Sequence, residues 1–224
     1  MFIIESLISV IAPHYCLVCG TAGSLVCVDC CQKAFGLVPA RCYRCRSLSE
    51  GSKTCSKCRK VSPLGRVWVG AEYSGTAQEL VGRLKFGRAG AAAAGVMAAR
   101  LASVMPIIAP GTIIVAVPTA SSRVRRRGYD QAELIARALA QATGAKYEKL
   151  LIRHGQSRQV GTRRAARLKQ LETAFQVCQP NHAAAAKIVL VDDVLTTGAS
   201  LQAVAQSLKS AGAKTIDAAV FAQA

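Results

Sequence analysis

The stretch Val189-Leu-Val-Asp-Asp-Val-Leu-Thr-Thr-Gly-Ala-Ser200 joins an apolar run to a polar turn that contains a glycine. Its first residues continue a β-branched and leucine run from Ile188, which is typical of a central strand in a parallel sheet. Asp192 and Asp193 stand at the carboxyl end of that strand, the edge where open α/β sheets bind ligands. The stretch therefore predicts a strand, a binding loop and the start of a helix.

The turn after these carboxylates has the composition of an anion site. Small residues and Gly198 let consecutive backbone N–H groups point inward, at the positive end of the helix that follows. Thr196, Thr197 and Ser200 add hydroxyl donors. Carboxylates repel phosphate but suit hydroxyl groups or a hydrated Mg²⁺. The pattern predicts a ligand with a ribose and a 5′-phosphate; the alternative is an ordinary strand-to-helix turn with solvated aspartates.

Around this loop, residues 61–224 alternate between strand-like and helix-like stretches. Strands are predicted at 66–73, 112–117, 148–152, 187–192 and 214–222, and helices at 75–86, 91–105, 128–142 and 199–211. Apolar strands that alternate with helices indicate an α/β domain, with a mostly parallel sheet covered by helices on both faces.

The arginine segment (118–131) is a basic stretch predicted to form a loop after the strand that ends at Val117. It contains four arginines within five positions, namely Arg123, Arg125, Arg126 and Arg127. Such a concentration of like charge needs an anion or open water. A phosphate group is one such anion, because the guanidinium fork matches phosphate oxygens. Nucleic acid is the competing ligand, with Arg125 and Arg126 as its candidates, and a solvated loop is the third possibility.

A second basic segment, the basic run, extends from Lys149 to Leu171 and has seven Lys or Arg and no acid. Residues 153–162 are polar and contain glycine, which predicts a mobile flap. A short helix is expected to follow, and its basic residues are further candidates for DNA contact: Arg163, Arg164, Arg167 and Lys169.

Nine of the ten cysteines lie between residues 16 and 58. Eight of them form four Cys-x-x-Cys pairs: Cys16 and Cys19, Cys27 and Cys30, Cys42 and Cys45, and Cys55 and Cys58. Two such knuckles complete one tetrahedral Cys₄ zinc site, so four predict two structural zinc ions. The pairing of knuckles can be sequential or interleaved, and Cys31 can compete with Cys30. We predict an N-terminal helix and double zinc ribbon over 1–60, followed by the α/β domain over 61–224.

The chain is strongly basic, with 29 Lys and Arg against 12 Asp and Glu and a net charge of +17. This balance favours polyanionic partners. The apolar run at 1–11 has no preceding basic residue, is interrupted by Glu5, and is too short to span a bilayer. It predicts a short amphipathic helix, no membrane span and a cytoplasmic protein.

The carboxylate and turn string of residues 189–200 resembles the signature of type I phosphoribosyltransferases. A double zinc ribbon followed by such a domain is similar to the ComF/GntX family of competence-associated proteins. Matching pieces include Cys16-Leu-Val-Cys-Gly20, Leu84-Lys-Phe-Gly87 and Arg125-Arg-Arg-Gly-Tyr-Asp-Gln-Ala132. The chain departs at Thr119-Ala120, where that family often has Leu-His.

The resemblance to the transferases implies phosphoribosyl pyrophosphate (PRPP) as ligand, together with Mg²⁺. Asp192 and Asp193 are then expected to contact the ribose hydroxyls. The residues expected to surround the 5′-phosphate are Leu195, Thr196, Thr197, Gly198, Ala199 and Ser200. Lys85, Arg123 and Arg127 complete the expected PRPP site, and Asp192, Asp193 and Arg127 are the expected catalytic residues.

Two functions follow from these resemblances. The ComF/GntX likeness implies handling of single-stranded DNA during natural transformation, with competence-machinery proteins as partners and PRPP as a ligand. The transferase likeness implies an active phosphoribosyltransferase of nucleotide or base salvage. No residues point to the recognition of a nucleobase, so the first function is preferred.

Overall fold

The computed structural model describes residues 14–86, 89–154 and 174–224. Its main sheet has five strands: β1 (Val67–Glu72), β2 (Thr112–Ala116), β3 (Lys146–Tyr147), β6 (Lys187–Leu195) and β7 (Thr215–Gln223). Their order across the sheet is β1-β7-β6-β2-β3, and every neighbouring pair is parallel. The predicted α/β fold with a mostly parallel sheet is confirmed.

The helices of the described residues connect and cover these strands. They are α1 (Val28–Phe35), α2 (Ser56–Arg59), α3 (Gly75–Phe86), α4 (Gly90–Val104), α5 (Ser121–Arg127), α6 (Gln131–Thr143), α7 (Pro180–Ala183) and α8 (Ala199–Ser210), with a 3₁₀ turn at Glu50–Ser52. The Asp130 side chain caps α6 by accepting from the Ala132 N–H, and left-handed Gly144 ends it.

Alternate residues of β7 show that both faces of the sheet are covered. Ala219 and Phe221 pack in a core with residues of α3, α4 and α6. Ala218 and Val220 point the other way, into a core with residues of α8. Successive side chains of a strand leave opposite faces, so one strand contributes to both cores.

The two cysteine-rich units pack on opposite faces of this sheet. The first cysteine unit (14–36) contributes Phe35, whose ring meets that of Phe221 edge-on at 5.4 Å between centroids. The second cysteine unit (41–62) contributes Tyr43, which is only 3% exposed, to the opposite core. Both units therefore share apolar cores with the sheet, and the division at residue 60 stays a prediction.

Two segments differ from expectation. The arginine segment, predicted as a loop, forms α5, because no glycine or proline interrupts 121–127 and arginine is a good helix former. The strand predicted at 148–152 is shorter and lies outside the main sheet. It is β4 (Leu151–Arg153), paired antiparallel with β5 (Phe175–Val177). The chain leaves the main sheet after Tyr147, where the pairing of β3 with β2 ends.

Some expectations concern residues outside the described ranges. These are the N-terminal helix over 1–11, the part of the flap beyond His154, and the side chains of Arg163, Arg164, Arg167 and Lys169. Among the described helices, none combines the length and apolarity needed to cross a bilayer.

Candidate functional site

The candidate site lies where β2 and β6 run side by side. Their register pairs Ala116 with Val191, and the Val117 N–H donates to the Val191 carbonyl at 2.9 Å. The chain leaving β2 leads to α6 on one face of the sheet, and the chain leaving β6 leads to α8 on the other. Such a divergence opens a crevice at the carboxyl ends of the strands. The arginine segment therefore starts next to Asp192.

The two aspartates lie inside β6, because its pairing with β7 continues to Leu195. Each accepts from the next backbone N–H, at 2.9 Å in both cases: Asp193 N–H to Asp192 Oδ1, and Val194 N–H to Asp193 Oδ1. Burial, reinforced by the charge of Asp193, raises the pKa of Asp192 well above its ordinary value. A poorly solvated carboxylate of this kind is stabilised by a cation or by hydroxyl donors.

The phosphate loop (195–200) follows directly. Leu195 is buried, Thr196 and Thr197 are exposed, and Gly198 adopts the left-handed conformation with φ of 74° at the start of α8. The Ala199 N–H donates to the Thr197 hydroxyl at 3.4 Å, and Gly198 has no side chain with which to cap the N–H groups of Ser200 and Leu201. This arrangement suits an anion at the helix N-terminus.

The last turn of α3 joins the acids to the arginine segment. Lys85 Nζ lies 2.7 Å from Asp193 Oδ2, and the Tyr129 hydroxyl donates to the carbonyl of Leu84. The guanidinium of Arg127 lies over the ring of Phe86, 5.0 Å from its centroid. Three consecutive residues of one helix turn thus contact a tyrosine hydroxyl, a carboxylate and an arginine, which come from two distant parts of the sequence.

Arg127 is short of partners in this arrangement. Its Nε and Nη1 atoms are buried and have no hydrogen-bond partner among the described residues. Burial lowers the pKa of Arg127, and the charges of Arg123 and Arg126 lower it further. An anionic ligand would supply the missing acceptors and offset the repulsion. Arg123 and Arg126 are themselves exposed.

The start of the arginine segment is hydrogen-bonded to its end. Asp130 accepts from the Thr119 N–H at 2.8 Å and from the Thr119 hydroxyl at 2.9 Å. Thr119, which stands where the ComF/GntX family often has leucine, therefore joins the two ends of the segment. Left-handed Gly128 ends α5, which puts three arginines in its last turn, where the helix dipole favours positive charge.

A basic groove of about 580 Å³ lies beside this segment. Its lining includes four cationic residues, Arg125, Arg137, Lys149 and Arg153, and two acids, Asp130 and Glu133, of which Glu133 accepts from Arg137 at 2.7 Å. Arg137 also lies over the ring of Tyr147, at 4.4 Å. Lys149 and Arg153 belong to the basic run noted in the sequence. Arg137 was missed, because a single arginine on an amphipathic helix carries no local signal.

The cysteines assemble into two tetrads. The thiols of Cys16, Cys19, Cys27 and Cys30 lie within 4.8 Å of one another, as do those of Cys42, Cys45, Cys55 and Cys58. The sequential pairing is therefore the one observed, and Cys31 belongs to neither tetrad. The Sγ atoms of Cys19 and Cys27 are 3.7 Å apart, and those of Cys45 and Cys55 are 3.6 Å apart. Zn–S bonds of about 2.3 Å place tetrahedral sulfurs about 3.8 Å apart, so both tetrads fit zinc.

The thiols also show why such a tetrad needs a cation. A hydrogen bond from the Cys27 N–H lowers the pKa of Cys16 to about 6, and the Ser47 hydroxyl lowers that of Cys45 to about 6. The neighbouring Cys27 thiol raises the pKa of Cys30 to about 12, and burial raises that of Cys58 to about 12. Some thiols thus ionise readily while others resist, since four adjacent thiolates repel. A divalent metal removes this repulsion and binds thiolates outright.

Comparison with known proteins agrees with this geometry. The model of the phosphoribosyl transferase domain family matches residues 88–224. The chain belongs to the phosphoribosyl transferase domain family. The match includes both the arginine segment and the phosphate loop of this transferase domain.

Two relatives extend the similarity into the cysteine-rich part. The DNA utilization protein YhgH of Salmonella typhi is 31% identical over 199 residues, covering 83% of this chain and 85% of that protein. The protein of the same name from Salmonella typhimurium is 29% identical over 195 residues, with the same shares covered. With the two cysteine tetrads, these relatives confirm the resemblance to the ComF/GntX family.

The transferase domain also has a distant likeness among solved structures. The glutamine PRPP amidotransferase of B. subtilis, complexed with ADP and GMP, aligns with a TM-score of 0.44 and 16% identity. The alignment covers 64% of this chain and 30% of that one.

Proposed function

We propose that this protein binds PRPP or a related phosphoribosyl ligand with Mg²⁺, binds single-stranded DNA on its basic surface, and acts in DNA uptake as a ComF-like protein of the cytoplasm. Competence-machinery proteins are its expected partners. The observation that carries the proposal is that Lys85 pairs with Asp193 just before the phosphate loop, while Nε and Nη1 of the neighbouring Arg127 have no hydrogen-bond partner among the described residues.

Each part of the ligand has a chemically suited neighbour in this crevice. Asp192 and Asp193 accept from the ribose hydroxyls, and the loop 195–200 receives the 5′-phosphate at the start of α8. Arg123, Arg127 and Lys85 take the pyrophosphate. Mg²⁺, bound with the ligand, supplies charge neutralisation on the pyrophosphate oxygens. Hydroxyl donors or the cation also offset the desolvation that raises the pKa of Asp192.

The DNA part of the proposal is supported by the cations of the basic groove and by the names of the related proteins. The basic groove presents Arg125, Lys149 and Arg153 beside Tyr129, while its fourth cation, Arg137, is paired with Glu133 and stacks on Tyr147. Cations along a groove bind a phosphate backbone electrostatically, and aromatic rings accept bases by stacking. Arg125 and Arg126 are the candidates for DNA contact among the described residues, and the sequence adds Arg163, Arg164, Arg167 and Lys169 outside them. The relatives at about 30% identity are named DNA utilization proteins.

The alternative is catalysis by the same crevice. In a phosphoribosyl transfer, a nucleophile attacks C1 of PRPP while the bond from C1 to the pyrophosphate oxygen breaks and pyrophosphate leaves. Arg127 favours this alternative, because its free donors suit the charge that develops on the leaving group. Asp192 and Asp193 would hold the ribose during the step.

Calorimetric titration with PRPP and Mg²⁺ tests the ligand. We expect Arg127→Ala to weaken binding by about tenfold to a hundredfold, as loss of charged hydrogen bonds worth about 1.5–3 kcal/mol predicts. Lys187→Ala is the matched control, because it removes a positive charge from the start of β6, at the opposite edge of the sheet. Wild-type protein that binds no PRPP would refute the proposal. Pyrophosphate release with any nucleobase would favour the enzyme over the binding protein.

Titration of a labelled single strand at several salt concentrations tests the DNA part. Each phosphate contact contributes about 0.7 to the slope of log affinity against log salt. Arg125→Ala combined with Arg126→Ala is therefore expected to reduce the slope by about 1.4, and Lys187→Ala to leave it unchanged. Affinity that does not fall as salt rises would contradict DNA binding through these cations.

A further inference from the structure

The second cysteine unit touches the phosphate loop and the helix turn that follows it. The ring of Tyr43 lies against the backbone of Gly198, so that a Cβ added there would be 2.9 Å from Tyr43 Cε2. Arg44 Nη1 donates to Gln202 Oε1 at 2.7 Å, and Gln202 Nε2 donates to the Val61 carbonyl at 3.1 Å. The middle of the loop and the first turn of α8 are therefore in contact with this unit.

The start of the loop is held by the same unit through the end of β7. Arg46 Nη2 donates to the backbone carbonyl of Ala224 at 2.6 Å, and the Ala224 N–H donates to the Leu195 carbonyl at 3.0 Å. Leu195 is the first residue of the phosphate loop. Contacts at its start, its middle and the following turn limit the conformations the loop can adopt.

Tyr43 is itself held in place. Its side chain is buried, and its hydroxyl shares a hydrogen bond of 2.6 Å with the Ser62 hydroxyl. Tyr43 and Arg44 lie between Cys42 and Cys45, two thiols of the second tetrad. Because a metal fixes the backbone that carries its ligands, the position of Tyr43 depends on the metal in this tetrad.

The first cysteine unit has no comparable contact with the loop in the described part of the chain. Its Phe35 packs on Phe221, on the opposite face of the sheet. Arg100 links it to β1, donating to the carbonyls of Gly36 at 2.6 Å and Gly70 at 2.7 Å. The two tetrads have the same kind of Cys-x-x-Cys pairs, but within the described residues only the second cysteine unit contacts the phosphate loop.

We infer that the second cysteine unit positions the phosphate loop, with Tyr43 as its positioning residue, and that metal in the second tetrad controls affinity for the phosphoribosyl ligand. Tyr43 holds the left-handed backbone at Gly198, and the metal holds Tyr43. The identity of the ligand rests on the proposed function; the hold on the loop does not.

Tyr43→Leu against Phe35→Leu tests this inference. Both variants remove an aromatic ring that joins a cysteine unit to the sheet, and the two side chains are similarly buried, at 3% and 6% exposure. Hydrogen exchange of the amides at 195–202, measured without ligand, is expected to rise in Tyr43→Leu only. If the competent loop conformation falls to a tenth of the population, affinity for ribose 5-phosphate falls about tenfold. Tyr43→Phe keeps the ring and is expected to restore both readouts.

The metal is tested with Cys45→Ser and Cys19→Ser, both at exposed thiols, with zinc measured in each. Only Cys45→Ser is expected to raise exchange in the loop. Unchanged loop exchange in Tyr43→Leu, or in Cys45→Ser after loss of its zinc, would overturn the inference. If the wild type binds ribose 5-phosphate, an equal affinity in Tyr43→Leu would overturn it as well. If Tyr43→Leu does not fold, Arg44→Ala, which changes an exposed side chain, gives the same comparison.

If the wild type binds neither ribose 5-phosphate nor PRPP while loop exchange still responds to the variants, the proposed function fails. The positioning of the loop by the second cysteine unit then stands on the exchange data.

Discussion

Replacing Gly198 with alanine should destabilise the protein for two separable reasons. The backbone there has φ of 74°, and forcing a residue with a Cβ into this region costs about 1–2 kcal/mol. The new Cβ would also lie 2.9 Å from Tyr43 Cε2 and 3.0 Å from Tyr43 Cδ2, closer than side chains approach one another. Overpacking of this kind costs about 1–3 kcal/mol. The two effects together predict a loss of about 2–5 kcal/mol.

Gly144→Ala separates the two effects. Gly144 has a similar φ of 69°, but a Cβ there would meet nothing within 4 Å. Its substitution should therefore show only the backbone cost, about 1–2 kcal/mol. Urea unfolding in zinc-containing buffer gives the free energy of unfolding of each variant. The excess loss in Gly198→Ala measures the resistance of the Tyr43 ring.

The double variant Tyr43→Leu with Gly198→Ala completes the cycle. Removing the ring opens the space that the new Cβ needs, so the cost of Gly198→Ala should fall towards that of Gly144→Ala. If Gly198→Ala alone costs no more than Gly144→Ala, the ring is not pressed against the loop and the reasoning is refuted.

Three further predictions concern the acids and the metals. Lys85→Met removes the amine 2.7 Å from Asp193 Oδ2, and should lower the free energy of unfolding in urea by about 1 kcal/mol; an unchanged free energy of unfolding would contradict the ion pair. The raised pKa of Asp192 means that its stability contribution is lost as pH rises through that pKa. Asp192→Asn should therefore melt above the wild type at pH 8, with the difference narrowing as pH falls; a lower melting temperature at pH 8 would disprove the burial argument. Elemental analysis after gentle purification should find two zinc ions per chain, one for each tetrad; a zinc content near zero would contradict the predicted double zinc ribbon.

Much of the fold is readable in the sequence because its signals are local. The apolar runs predicted β1, β2, β6 and β7 to within a few residues, and the helix predicted at 75–86 is observed at Gly75–Phe86. Short-range pattern failed for α5, where the density of charge suggested a loop. It also failed for β4, which pairs with β5 across the basic run, because strand partnership depends on residues far along the chain.

The sequence by itself determined which local motifs the chain carries, and from them it predicts a phosphoribosyl ligand and two zinc ions. Two aspartates, a glycine turn and four cysteine knuckles each consist of residues close together in the chain, so composition and spacing are enough to predict their chemistry. Only the tertiary structure decided that Lys85 reaches Asp193, and that Tyr43 of the second cysteine unit lies against Gly198. Such contacts depend on the strand order and on which face each unit covers, and no local pattern encodes the packing of segments more than a hundred residues apart.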